Sequence, residues 1–592
     1  MIDELIDTIA RRYDLRRHRA LLESIWQQER WFDTPHQRRA AEIARDALAE
    51  AGVADAHVAP YPADGRTRFQ DWTTRMAWEC PAAQLRLDDE VLADRATTPC
   101  ATVAWSGPLA ETTAGVVDVD AIEQVTPDLI DGKFVLTAKI AQQAKLRLLG
   151  ARPVAVVSDF LGSNRGYDEH TTRWCNAWAD EPGGWYVRRQ DRVLPGFCIT
   201  PATGRRLRAA LAADPNLRLT GFCNSRLYDG ECSNLTAVVP GRDPGAEIWL
   251  LGHTAEEGAH DNCSGVSAYV TAACLLHQLI DDGTLPRPRC GIRIIGGEEC
   301  LGTLAFVTGH EPLRRRALAG FSADGVGDSS ESDRPFYAHY GPFSAPSFGW
   351  GLAGAIGRRL VDRYAGRYYL DYQYDPGTAD HMIADPNCGI PAQWLGMHGS
   401  STGYHSSADT PAICPDESRA ANAQLIAAWA YTMANLDDAA ATALLPDVTA
   451  WIDTHLLIDG DDDPARLRRW VAGGMLRHAI RLGASASVVE PAAARYAGPD
   501  AAPLPGLSDD GPRYRRTTWG TCTFETLPAD RKQGLGRWQG WLAAALFWTD
   551  GQRTVPAIER LARAEAGRIP EGGLEPVFET LVEAGLARRW NT

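Results

Sequence analysis

Apolar positions along the chain recur first with a helical period, then in short continuous runs, then in both alternately. Ile6, Ile9, Leu22 and Ile25 share one face of a helix predicted from the N-terminus to about residue 34, where Pro35 stops it. A second helix is predicted over His36–Ala51, ending at Gly52. From about Arg95 to Leu219 the pattern changes to strand-like runs: Ala101–Trp105, Gly115–Val119, Lys133–Thr137, Pro153–Ser158 and Gly196–Thr200. One helical piece, Ile140–Leu149, interrupts them. Buried strands are then predicted at Glu247–Leu251 and Ile292–Ile295, a third strand-like run at Ala319–Gly327, and helices from Gly265 and over Ser418–Asn435. After about Leu436 come Ala-rich and acidic stretches that read as linkers, then helical segments at Gln539–Phe547, Val555–Glu565 and within Leu574–Trp590.

The strand ends carry the chemistry. His253 and Asp261 stand between a buried strand and a helix, where open α/β sheets place their ligands. The next buried strand delivers Glu298 and Glu299; adjacent side chains there point apart, so one can ligate while the other faces substrate. Asp324 ends a third run, and His405 follows later with Asp409 near enough to orient an imidazole. Two histidines and three carboxylates with a spare glutamate suit a metal, and a metal-bound water has its pKa lowered to about 7.

In order, GAHDNCSG, GGEECLG, ADGVG and YHSSADT resemble the motifs of the M28 peptidases, co-catalytic zinc aminopeptidases of α/β fold. The resemblance covers roughly Ala40–Cys80 and Leu227–Asn435. It implies a mixed-sheet zinc-aminopeptidase core with two Zn²⁺, one ion being the alternative. Asp261 would bridge them, with Glu299 and His405 on one metal and His253 and Asp324 on the other. Glu298 would be the general base, and Tyr404 would donate to the oxyanion. Many members carry a carboxylate two residues after the first histidine, where this chain has Ala255. Glu256, Glu257 and His260 lie in the same interval, open to three roles: replacing that partner, binding the substrate's amino group, or ligating. Asp380 reads as a loop organiser.

At 592 residues several domains are expected. The expected division is 1–94 for N-terminal helices and the start of the peptidase domain, 95–220 for an insert resembling a protease-associated domain, 221–438 for the peptidase core, and 439–592 for a region resembling a winged helix. The insert's loop from Gly162 to Tyr186 is polar and aromatic, as expected of a lid. Net charge is −16, and residues 441–592 hold 18 Arg and Lys against 19 Asp and Glu, which argues against nucleic-acid binding. Thirteen cysteines without a CxxC pair point to reduced core thiols and a cytoplasmic setting, and no membrane span is expected. The expected activity is zinc-dependent amide hydrolysis of short peptides or peptide-like metabolites, with homo-oligomerisation left open. The alternative is a regulatory scaffold that keeps the fold and binds a partner through its C-terminal region.

Overall fold

A computed structural model describes residues 1–592 except 149, 164, 176–185, 398–400, 498–509, 529, 533, 537–538 and 591–592. Its centre is a mixed sheet of eight strands: β1 (Ala54–Ala63), β2 (Gly230–Val239), β3 (Asp243–Thr254), β4 (Cys290–Glu298), β5 (Ala317–Asp324), β6 (Phe336–Tyr340), β7 (Leu370–Tyr374) and β8 (Ala392–Gly396). They lie in the order β1-β2-β4-β3-β5-β8-β6-β7. β4, β3, β5 and β8 are mutually parallel, so four neighbouring strands end on the same edge. Strands covered on both faces read as continuous apolar runs, and β4 is buried along its whole length. The helices Cys263–Asp281 and Asp416–Ala434 pack against each other and against β3. Cys263–Asp281 has the length and hydropathy of a membrane span, but its apolar window is 83% buried, as befits a core helix.

At the N-terminus the expected single helix is two, Ile2–Arg12 and Leu15–Glu29, because the Asp14 carboxylate caps the second by accepting from the Arg17 amide. Asp33 caps Thr34–Glu50 in the same way, and Pro35 sits in its first turn. Proline thus opens the third helix, a place where its missing N–H costs nothing.

The insert forms a second sheet of seven strands, in the order Glu90–Asp94, Ala77–Leu87, Arg218–Tyr228, Leu109–Asp118, Phe134–Thr137, Ala155–Ser158 and Gly196–Cys198. It therefore takes in residues 77–94 and runs on to Tyr228, wider than the expected 95–220. Ala101–Trp105 is not a strand; Pro99–Ala101 makes a short 3-10 turn and Thr102 a single bridge to Phe197. Of the predicted lid loop, 164 and 176–185 lie outside the described residues.

Much of the stretch after Leu436 is helix, Asp438–Trp451, Asp463–Leu482 and Ala486–Ala493; of the expected linkers, the acidic one at 459–463 joins the first two, and 498–509 of the Pro-rich one at 497–512 lie outside the described residues. Alanine is the best helix former, and Asp437 and Asp462 cap the first two, so the Ala-rich, acidic composition encodes helix. The last eighty residues place helices Gly540–Phe547, Val555–Ala566 and Glu575–Glu583 around an antiparallel sheet of Asp550–Thr554, Arg513–Arg516 and Ala587–Arg589. This unit is keyed into the core. The buried Glu565 accepts from the Phe343 amide, the Tyr374 hydroxyl and the Trp548 indole. Phe336, Phe343, Phe348, Trp350 and Tyr368 are buried core residues. All thirteen cysteines are buried, and none is joined in a disulfide.

Candidate functional site

The parallel strand ends converge on a buried group of carboxylates and imidazoles. At the end of β3, His253 Nε2 stands 3.5 Å from Asp261 Oδ1, 3.7 Å from Asp324 Oδ1 and 4.0 Å from Glu256 Oε2. His405 Nε2 is 3.1 Å from the other Asp261 oxygen and 3.6 Å from Glu256 Oε2. One carboxylate, Asp261, thus divides its two oxygens between two imidazoles. The Asn262 side chain fastens the strand ends below it, donating to the carbonyls of His253 and Ala323 and accepting from the Gly325 amide.

Electrostatics follow from that crowding. Burial alone would lower the His253 pKa, but Asp324, Asp261, Asp380 and Glu256 hold it well above the usual imidazole range. Burial, and after it the neighbouring Asp261 charge, pushes the Glu256 carboxyl well up. Asp261 goes the other way: burial opposes it, yet the two histidines keep it well below the carboxylate range. Burial raises the Tyr404 hydroxyl, and the charges of Asp261, Glu256, Asp324 and Glu299 raise it further.

The adjacent glutamates separate as expected, and Glu298 is engaged by Arg75, Tyr61 and Cys232. Arg75 Nε donates to its Oε1, while Tyr61 Oη at 3.3 Å and Cys232 Sγ at 3.5 Å reach Oε2. Arg75 and Glu298 are both buried, so this is a satisfied ion pair. Glu299 acts on Glu256, Asp324 and Tyr404 through its charge. Glu256 is the carboxylate that stands among both histidines and Asp261. His260 is not placed to ligate through Nδ1, which accepts from the amides of Gly327 and Asp328.

Three supports hold these residues in place. Asp380 Oδ2 takes the His253 Nδ1 hydrogen bond at 3.1 Å, while its Oδ1 accepts from the Cys300 amide and the Thr303 hydroxyl. Asp409 accepts from the amides of His260 and Asp261, not from an imidazole as expected, and so shapes the loop that carries Asp261. The insert supplies the third: the Trp174 amide donates to the His405 carbonyl, Arg173 Nη1 to the Tyr404 carbonyl, and the Trp174 ring meets the His405 ring edge-on at 4.4 Å. A polar, aromatic loop was the signal for that contact, but not for its target.

A metal fits these residues. His253 Nε2 is buried with no hydrogen-bond partner, and buried polar atoms rarely go unsatisfied. His253 and Asp261 offer atoms within 4.8 Å of each other, with Asp324 3.7 Å from the same nitrogen and His405 3.1 Å from Asp261. Imidazole and carboxylate are donors that suit zinc.

Residues 234–430 match the model of peptidase family M28. No curated protein matches the chain. Among solved structures, it is similar to a putative peptidase from Clostridium acetobutylicum at TM-score 0.51 and 14% identity, covering 99% of each chain. It is also similar to BSAP, a zinc aminopeptidase from Bacillus subtilis, at TM-score 0.49 and 16% identity over 72% of this chain and 95% of that one. At this identity the first likeness speaks to the fold, which is α/β with mixed sheets over the whole length.

Proposed function

We propose, from the M28 peptidase domain that residues 234–430 form, that this protein is a zinc-dependent aminopeptidase or related amidohydrolase acting on short peptides or peptide-like metabolites. The observation that carries this reading is Asp261 shared between His253 and His405, with Asp324 beside the first. His253, Asp261, Glu299, Asp324 and His405 would hold two zinc ions. Bound there, zinc supplies a Lewis acid for the scissile carbonyl and a nucleophilic water at neutral pH.

The chain's own residues do the rest. Glu256, the carboxylate set beside His253 and His405, takes the proton from the attacking water and passes it to the leaving amine. Tyr404 keeps its proton and donates a hydrogen bond to the carbonyl oxygen as charge develops there. Trp174 and Arg173 close over His405 and limit water around the last ligand. Glu298, the base implied by the sequence motif, is held by Arg75.

Aminoacyl and dipeptide substrates, with metal analysis of the same preparation, test this reading. Glu256→Gln is expected to retain zinc and lose about 10²- to 10⁴-fold in kcat. Glu298→Gln is expected to keep most of the rate. The reverse result returns the base to Glu298. A protein that takes up no zinc and hydrolyses none of these substrates points instead to the scaffold.

A further inference from the structure

Beside the metal-site loops lies a small cavity of about 130 Å³, where the helix Leu15–Glu29 and its C-cap, the insert and two catalytic loops meet. Glu257, Asp409 and Arg30 supply its charges, and Thr97, Ser406 and Ser407 add hydroxyls. Glu257 is only 7% exposed. Among the described residues it makes no hydrogen bond and no ion pair, whereas a buried carboxylate is as a rule paired. Burial pushes its pKa up to about 8 even though the charges of Arg95, Arg173 and Arg30 act on it, none of them paired with it. Arg30 lines the same cavity yet does not pair with Glu257. Its guanidinium lies over the Trp26 ring at 4.6 Å, and its buried Nε has no hydrogen-bond partner. Asp409 is already engaged by two backbone amides.

An unpaired carboxylate and an unpaired guanidinium facing one small polar cavity, without meeting each other, are complementary to a ligand that carries both charges. We propose that this cavity binds a small zwitterion, a free α-amino acid, with its ammonium on Glu257 and its carboxylate on Arg30. A cation alone would leave Arg30 unmatched, and an anion alone would meet Glu257 and Asp409. The volume suits a short side chain. Free amino acids are what the proposed aminopeptidase releases, so the identity of the ligand as a product rests on that reading; the charge argument does not. The site adjoins the metal cluster in the chain: Glu257 follows Glu256, Ser406 follows His405, and Asp409 holds the loop of Asp261.

The test is calorimetric titration of the full-length protein with L-alanine and L-serine, metal-loaded and after chelation. Chelation removes any binding at the metals themselves. Saturable binding in both states is expected, about tenfold or more weaker for N-acetyl-L-alanine, which lacks the ammonium, and for L-alaninamide, which lacks the carboxylate. These ligand truncations act on the unaltered protein, so they are immune to misfolding. Glu257→Gln and Arg30→Met should each weaken L-alanine binding about tenfold or more, and in Arg30→Met the amide should bind as well as the amino acid. No saturable binding, binding lost on chelation, or equal binding of either truncated ligand would overturn the proposal. A protein that binds L-alanine but hydrolyses no peptide keeps this site and loses the peptidase reading; one that hydrolyses peptides but binds no amino acid after chelation does the opposite.

Discussion

Asp380 does for His253 what position 255 does not. With alanine at 255, no carboxylate two residues on is there to hold the imidazole, and Asp380 reaches in from a 3-10 turn before β8 to accept from Nδ1. That fixes the tautomer with Nε2 facing the cluster. Its second oxygen ties the Cys300 amide and the Thr303 hydroxyl, so the turn after Glu299 and the first histidine share one anchor. Asp380→Ala should lower zinc affinity about 10- to 100-fold, read by chelator competition, with Asp380→Asn intermediate. An affinity equal to wild type in Asp380→Ala would leave the residue a loop organiser only.

Among elements, the helix Asp463–Leu482 is tied into the core through one buried ring. His478 inserts from it into the core, accepting from the Phe348 amide at Nδ1 and meeting the Leu318 carbonyl at Nε2. That arrangement needs the neutral ring. Burial first, and Arg481 second, lower its pKa from 6.5 to about 4. The folded-state pKa lies below the unfolded one, so the stability this contact contributes is complete above about pH 6.5 and is lost as pH falls through about 4. Within that window the loss is about 1.4 kcal/mol per pH unit. Chemical denaturation at stepped pH should show this slope, and His478→Gln should flatten it; an unchanged slope would mean that His478 is not the group responsible.

For the whole molecule, the C-terminal unit is fastened to the peptidase core by a pair with no exposure at all, Arg516 and Asp385 at 2.5 Å. Asp385 also accepts from the Gly520 amide at 2.8 Å. Removing one partner of a buried pair strands the other charge, a cost of about 3–5 kcal/mol. Arg516→Ala should therefore lower unfolding free energy by about that amount in urea melts. A change under about 1 kcal/mol would mean that the unit docks loosely despite the geometry.

Local pattern determined much of this protein. The buried strands ending at Thr254, at Glu298 and at Asp324, and the helices after Asn262 and before Asn435, were legible because apolar period and capping residues act over a few neighbours. The same signals placed His253, Asp261, Asp324 and His405 at strand ends or loops, and parallel pairing then brought them together. What only the tertiary structure decided are the partners that meet across long separations. Arg75 lies 223 residues from the Glu298 it holds, and Asp380 lies 127 from His253. No local rule links such residues. The choice between Glu256 and Glu298 as the carboxylate at the cluster, and the reach of the insert onto His405, are set by which side chains the packed sheets bring into contact.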